Sequence, residues 1–307
     1  KAMAVMGAMI GVSFGVAMIL SPLLSAKFGL ASLFHLSSAL TLLCLMLLFF
    51  VVPTEPHIRS LRQKVPLGSL LSDKNLMLMN LTNFFQKAFM TAAFFLIPIL
   101  LVQKFGLSKS DLTKIYALGA IFGFTAMGAS GALGEKRALA KQILLIGICF
   151  FIASYLIFAF ASGASAFVVG VMLFFVGVTA HEPIMQSLAS KFAKVAQKGA
   201  ALGIFNSFGF FGSFLGGLCG GALFVKIGIE ALGIGVAVLG VIWFVLLSRL
   251  SDPKLFKNLY FPKGGDFSAL QGVKGIIEIY ETDSELVVKF NSKLINEDQI
   301  YKIVGGK

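Results

Sequence analysis

The chain has 307 residues, 57% apolar and only 13% charged, with a mean hydropathy of +0.90. A water-soluble domain carries about 25% charged residues, so half the usual polar cover is missing and a soluble globular protein is excluded. The net charge of +12 does not mark a nucleic-acid binder, because Lys and Arg sit in short clusters between apolar runs and line no aromatic-studded face.

A helix crossing a hydrocarbon core of about 30 Å needs about 20 mostly apolar residues. Eight segments qualify, at about 2–24, 30–52, 76–103, 112–134, 142–161, 165–189, 199–225 and 229–250. The chain begins on Lys1 and enters an apolar run at once, with no charged leader or cleavage site. That start reads as a point inside a longer protein. Cys44, Cys149 and Cys219 each lie inside an apolar run with no second Cys or His at ligand spacing, so they read as small core residues.

The connections alternate in charge. Arg59, Arg62, Lys64 and Lys74 follow the second span, Lys136, Arg137 and Lys141 the fourth, Lys191, Lys194 and Lys198 the sixth, and Arg249, Lys254 and Lys257 the eighth. The other connections hold only Lys27, then Lys104 and Lys109, then none, then Lys226. Basic loops stay in the cytoplasm, so both ends of the chain are expected there, in a multi-pass protein of the bacterial inner membrane.

After Arg249 the composition turns polar. Strand patterns at 255–261, 276–280 and 286–290 surround a short helix near 267–270, and Asn296 is placed to cap a last helix at 297–303. The order β-α-β-β-α is a ferredoxin-like pattern, an α+β domain over 253–307.

The first and seventh spans look alike at an offset of 199: Pro22 to Leu30, with Lys27 and Gly29, against Gly221 to Ile229, with Lys226 and Gly228. Residues 75–250 then form one six-helix half, 1–52 the last two helices of a preceding half, and 53–74 the loop joining them. About 8 of 12 helices are present. Two six-helix halves joined by a long cytoplasmic loop is the architecture of the major facilitator superfamily.

Particular residues resemble that superfamily's drug–proton antiporter branch. The Gly-rich first span, with Gly11, Gly15, Ser21 and Pro22, is similar to the branch's fifth helix, although Ser21 stands where the signature has Gly. The connection with Gly131, Glu135, Lys136 and Lys141 resembles the weaker copy of the family's loop motif, Glu135 taking the Asp position and Lys136 the Arg position. Membrane part and tail together resemble the YajR-like members. The resemblance implies an all-α membrane bundle with a small ferredoxin-like tail, a monomer that carries a small-molecule substrate and protons across the lipid bilayer without a cofactor. It also implies a Glu in the helix that holds Glu182. The related Cys-x-x-Cys metal loop has no counterpart, since no Cys follows Cys219.

Ionisable residues within spans mark transport candidates. Asn80, Asn83 and Lys87 share one helix face, with Gln86 beside them. Lys87 reads either as a cavity-facing cation or as a lysine that bonds a carbonyl or reaches for the interface. His181 and Glu182 precede Pro183, and they read either as proton-coupling groups or as a hydrogen bond between helices. Asn206 completes the polar set. Phe84, Phe85, Phe89, Phe205, Phe208 and Phe211 offer an apolar drug pocket or plain core. No nucleophile–base pair, metal cluster or phosphate loop points to an enzyme. The expectation is a proton-coupled exporter working by alternating access, against a symporter of the same fold or a membrane sensor with a signalling tail.

Overall fold

The structure, a computed structural model, describes residues 2–53, 59–60, 68–136, 139–263, 267–282 and 285–305. Its long helices are α1 (Ala2–Phe28), α2 (Ala31–Phe50), α4 (Lys74–Ile99), α5 (Lys109–Lys136), α6 (Ala140–Phe160), α7 (Ala164–Phe192) and α8 (Lys198–Ser248). A short α3 (Gly68–Ser72) precedes α4, and a five-residue π turn, Leu100–Lys104, ends it just after Pro98. All eight predicted spans fall on helix. The seventh and eighth are the two arms of α8, broken at Gly228 (φ 76°).

Gly29, Gly106 and Gly228 take φ of 78°, 65° and 76°, and each follows a Lys-apolar pair: Lys27-Phe28, Lys104-Phe105 and Lys226-Ile227. The backbone turns there through the left-handed region, where a Cβ is unfavourable, so the same Lys-apolar-Gly pattern ends three helical segments. At the other end of α4, Asp73 Oδ1 accepts from Asn75 N (2.9 Å) and Leu76 N (3.0 Å), capping the helix start.

The first arm of α8 lies directly against α4. A Cβ at Gly212 would strike the Phe84 carbonyl, one at Gly216 the Ala88 carbonyl, and one at Gly220 would come within 2.9 Å of Ala92 Cβ. Lipid tails are as apolar as Leu, so helices associate in a bilayer through such close van der Waals contact rather than through hydrophobic exclusion. The second arm packs on α6. Between them sits an aromatic core. Trp243 lies 5.9 Å from both Phe85 and Phe89 and 5.7 Å from Phe151, and it donates from Nε1 to Thr82 Oγ1. Tyr155 hydroxyl donates to the Phe89 carbonyl at 2.6 Å.

The outer surface is apolar: Phe50 is 86% exposed and α2 buries no residue at all. The three cysteines lie on this exterior, not in the core as expected. The reason is physical. In lipid the outside is as apolar as the inside, so an apolar run says nothing about which face a small residue takes.

The tail carries a sheet of order β1-β3-β4-β2, all antiparallel, with β2 (Phe256–Pro262), β3 (Ile276–Glu281) and β4 (Glu285–Asn291). The expected short helix near 267–270 is a single 3-10 turn, Ser268–Leu270. α9 (Glu297–Gly305) is capped as anticipated, and more completely: Asn296 Oδ1 accepts from Gln299 N and Gln299 Oε1 accepts from Asn296 N. The fourth strand, β1 (Arg59–Ser60), comes from the loop between α2 and α3, which the sequence reading kept apart from the tail.

Two charged side chains seat the tail on the helical body. Lys289 Nζ donates to the Lys191 and Ala193 carbonyls (2.6 and 2.8 Å) at the end of α7, and both carboxylate oxygens of Glu278 accept from Val195 N. Lys289 is 7% exposed and Glu278 2% exposed. Burial pushes the Lys289 ammonium down to about 8, and Lys198 and Lys191 add to this while Glu278 and Asp73 oppose it.

Two outcomes test this arrangement. Gly216→Val is expected to lower the unfolding midpoint in detergent by the equivalent of about 3 kcal/mol, because the Ala88 backbone cannot yield. Gly217→Val, whose Cβ would stand 3.5 Å from Thr91 Cγ2, should change it little. Because Lys289 binds its proton more weakly when seated, seating should tighten as pH rises from about 8 toward 10.5 and stay flat below that window. Protease sensitivity of the segment after Ser248, compared at about pH 7 and about pH 10, reads this out, and Lys289→Met should remove the dependence.

Candidate functional site: a buried ion pair between α4 and α7

Helix α4 presents Asn80, Asn83, Gln86 and Lys87 toward its neighbours in one stripe, as the spacing predicted. Asn80, Asn83 and Gln86 are all buried. Asn83 Nδ2 donates to the Phe205 carbonyl at 2.7 Å and lies against Gly209, which ties α4 to α8 on its polar side. One turn further along, Lys87 Nζ meets Glu182 Oε1 at 2.6 Å, and Gln86 Nε2 donates to the same oxygen at 3.0 Å. The Lys87 side chain is 22% exposed and that of Glu182 only 6%, so the carboxylate is the deeper partner.

Glu182 owes its position to α7. Pro183 lies inside that helix and lacks the N–H that would bond the Thr179 carbonyl, so the ladder is interrupted one residue beyond the carboxylate. α5 supports the same place, with Gly131 and Gly134 facing Pro183 and Ile184.

His181 takes a different direction from its neighbour. Its Nδ1 lies 2.7 Å from the Gly177 carbonyl and its ring sits between Phe151 and Trp243, over Gly147 of α6. A ring nitrogen facing a carbonyl carries the proton, so Nδ1 donates to Gly177. Gln86 Oε1 and Gln186 Oε1 are buried and unpartnered. Orphaned polar atoms are unusual in a packed interior, and one of them belongs to Gln86, whose amide nitrogen bonds the carboxylate. Asn206 is half-buried on α8 and hydrogen-bonds none of the other candidates among the described residues.

The remaining predicted residues fall elsewhere. Gly15 is buried on α1 beneath Phe124 of α5, and Ser21 is half-buried. Gly11 and Pro22 fall on α1, and Glu135 and Lys136 on the last turn of α5, but the side chains of all four lie outside the described ones. Lys141 donates to the Ser248 and Leu250 carbonyls, both at 2.7 Å, so it caps the end of α8 rather than serving the site. Phe89 and Phe205 are core residues, 5% and 1% exposed, whereas Phe211 is 56% exposed. Phe84 links Phe85 and Phe211 by ring contacts of 5.4 and 6.1 Å. Sequence reasoning missed Gln186, one turn beyond Glu182 on the same face, and Trp243, the only tryptophan in the chain. Among the described residues no three His, Cys, Asp or Glu converge as a metal site requires.

Long apolar helices packed around one buried ion pair define a polytopic membrane protein. The chain matches the Major Facilitator Superfamily model over residues 1–193 and 140–274. It belongs to the major facilitator superfamily, and it is a membrane transporter and not an enzyme. It is 25% identical, over 99% of its length, to the inner membrane transport protein YajR of Escherichia coli K12, of which it spans 70%. It is 27% identical, over 80% of its length, to an uncharacterized transporter of Buchnera aphidicola from Baizongia pistaciae, of which it spans 64%. The crystal structure of the human organic anion transporter MFSD10 superposes with a TM-score of 0.65 at 19% identity, covering 78% of this chain and 62% of that one. The chain thus spans about two thirds of the length of these proteins.

The ion pair makes an asymmetric prediction. Lys87→Met strands a carboxylate that is 6% exposed and should cost about 3–5 kcal/mol of stability. Glu182→Gln leaves a lysine able to reach solvent and should cost less, and the double variant should recover most of the loss. A double-mutant cycle on detergent-induced unfolding measures all three.

Proposed function

We propose that this carrier exports a small molecule in exchange for protons, with Glu182 as a proton-coupling group. The observation that carries the reading is the buried contact of 2.6 Å between Lys87 on α4 and Glu182 on α7. Protonation of Glu182 cancels the attraction that holds the two helices together at mid-height, and deprotonation restores it. Helix contact thereby becomes a function of proton occupancy. The unpartnered Gln86 Oε1 and Gln186 Oε1 can accept the hydrogen bond that a protonated carboxyl offers.

In this reading residues 1–52 supply the last two helices of one half and 75–250 the other half. The packing of α1 on α7 and α5 is then the contact between halves. The tail, a ferredoxin-like module, faces the cytoplasm together with the basic connections, and the carrier acts as a monomer in the inner membrane.

The test uses a carrier with both six-helix halves, reconstituted in vesicles under an imposed pH gradient. An exported substrate should move against the proton flux, and Glu182→Gln should abolish gradient-driven movement while leaving substrate binding in place. Substrate that moves with the protons would instead identify a symporter.

A further inference from the structure

A cavity of about 610 Å³ lies between the seated tail, the end of α7 and the start of α8, and neither Lys87 nor Glu182 lines it. Its walls hold three ammonium groups, Lys191 and Lys198 from the helical body and Lys289 from β4, and no carboxylate. Around them stand donors: the buried Ser190 hydroxyl from α7, the Asn258 amide from β2 and the Tyr280 hydroxyl from β3. Among the described residues none of the three lysines forms an ion pair. Glu278, the nearest acid on the sheet, has both oxygens directed at Val195 N.

Like charges gathered in a partly dry recess repel one another unless an anion joins them. The ammonium groups can only donate, Lys289 already spending two of its three N–H bonds on the Lys191 and Ala193 carbonyls, and the hydroxyls and the amide can donate beside them, so the complementary ligand is acceptor-rich and negative. A phosphate group meets that description, since it has tetrahedral oxygens for several lysines and hydroxyls at once. The volume lies in the range of small-molecule sites.

We propose that this cleft is a phosphate-binding site, formed only when the tail is seated, at which a phosphate-bearing metabolite or an anionic lipid headgroup clamps the tail to α7. The ligand bridges the two parts because Lys191 and Lys198 come from one and Lys289, Asn258 and Tyr280 from the other. It thereby acts on the same helix that carries Glu182, whatever substrate the carrier moves. Groups facing Lys289 are Lys191, Lys198, Glu278, Asp73 and Tyr280. Burial raises Tyr280 above its ordinary value of 10, so its hydroxyl remains a donor. Lys289 loses its proton near 8 without ligand, so affinity should fall as pH rises through that value.

The experiment titrates inorganic phosphate into the full chain in neutral detergent at constant ionic strength, read by phosphorus NMR line-broadening and by the unfolding midpoint. The variant Lys191→Gln with Lys198→Gln removes two cationic contacts, and affinity should drop about a hundredfold, about tenfold for each. Tyr280→Phe keeps every charge and should weaken binding about fivefold. A parallel arm places the chain in nanodiscs of phosphatidylglycerol or of phosphatidylcholine without free phosphate. Stabilisation by phosphatidylglycerol that the double variant loses identifies a lipid headgroup as the source, and binding of free phosphate alone identifies a soluble one. Phosphate that binds the wild type and both variants equally overturns the proposal, and so does a wild type that responds in neither arm.

Discussion

A charge inside a low-dielectric helical body must be paired, and here one pair, Lys87 with Glu182, fixes how three helices meet. The carboxylate needs Lys87 within reach, which requires α4 to lie close to α7. α4 is in turn held against α8 by the glycine row at 212, 216 and 220 and by Asn83 on the Phe205 carbonyl. The aromatic core around Trp243 fills the space those contacts enclose. The polar stripe and the glycine stripe are therefore parts of one constraint, and weakening either shifts the geometry of the other.

The membrane spans were readable because hydrocarbon imposes a length and a composition on every crossing. The turn at Gly228 was readable too, since two apolar spans met there with one Lys between them. The partnership of Lys87 and Glu182 was not, because 95 residues separate them and neither periodicity nor composition pairs positions on different helices. For the same reason the alternatives open for Lys87 in the sequence close only when α7 is in view. The cysteines were misplaced because the apolar signal that reports burial in water loses its meaning in lipid.

His181 shows how neighbours in sequence can serve separate ends. One residue from Glu182, it turns the other way around α7, bonds the Gly177 carbonyl and joins the aromatic core. The spacing rule for helices anticipates this, since adjacent positions point about 100° apart. Gln186, one turn along, was the better companion to seek.

The pairing of Arg59 and Ser60 with Tyr280 and Glu281 joins parts of the chain more than 200 residues apart. A ribosome releases the connector long before β3 exists, so the first strand must wait, unpaired, while six further crossings are inserted. The sheet can close only after residue 281 has been made, which makes it a checkpoint on the assembly of the helices before it. A nascent chain halted before residue 281 carries its helices but leaves that strand without a partner.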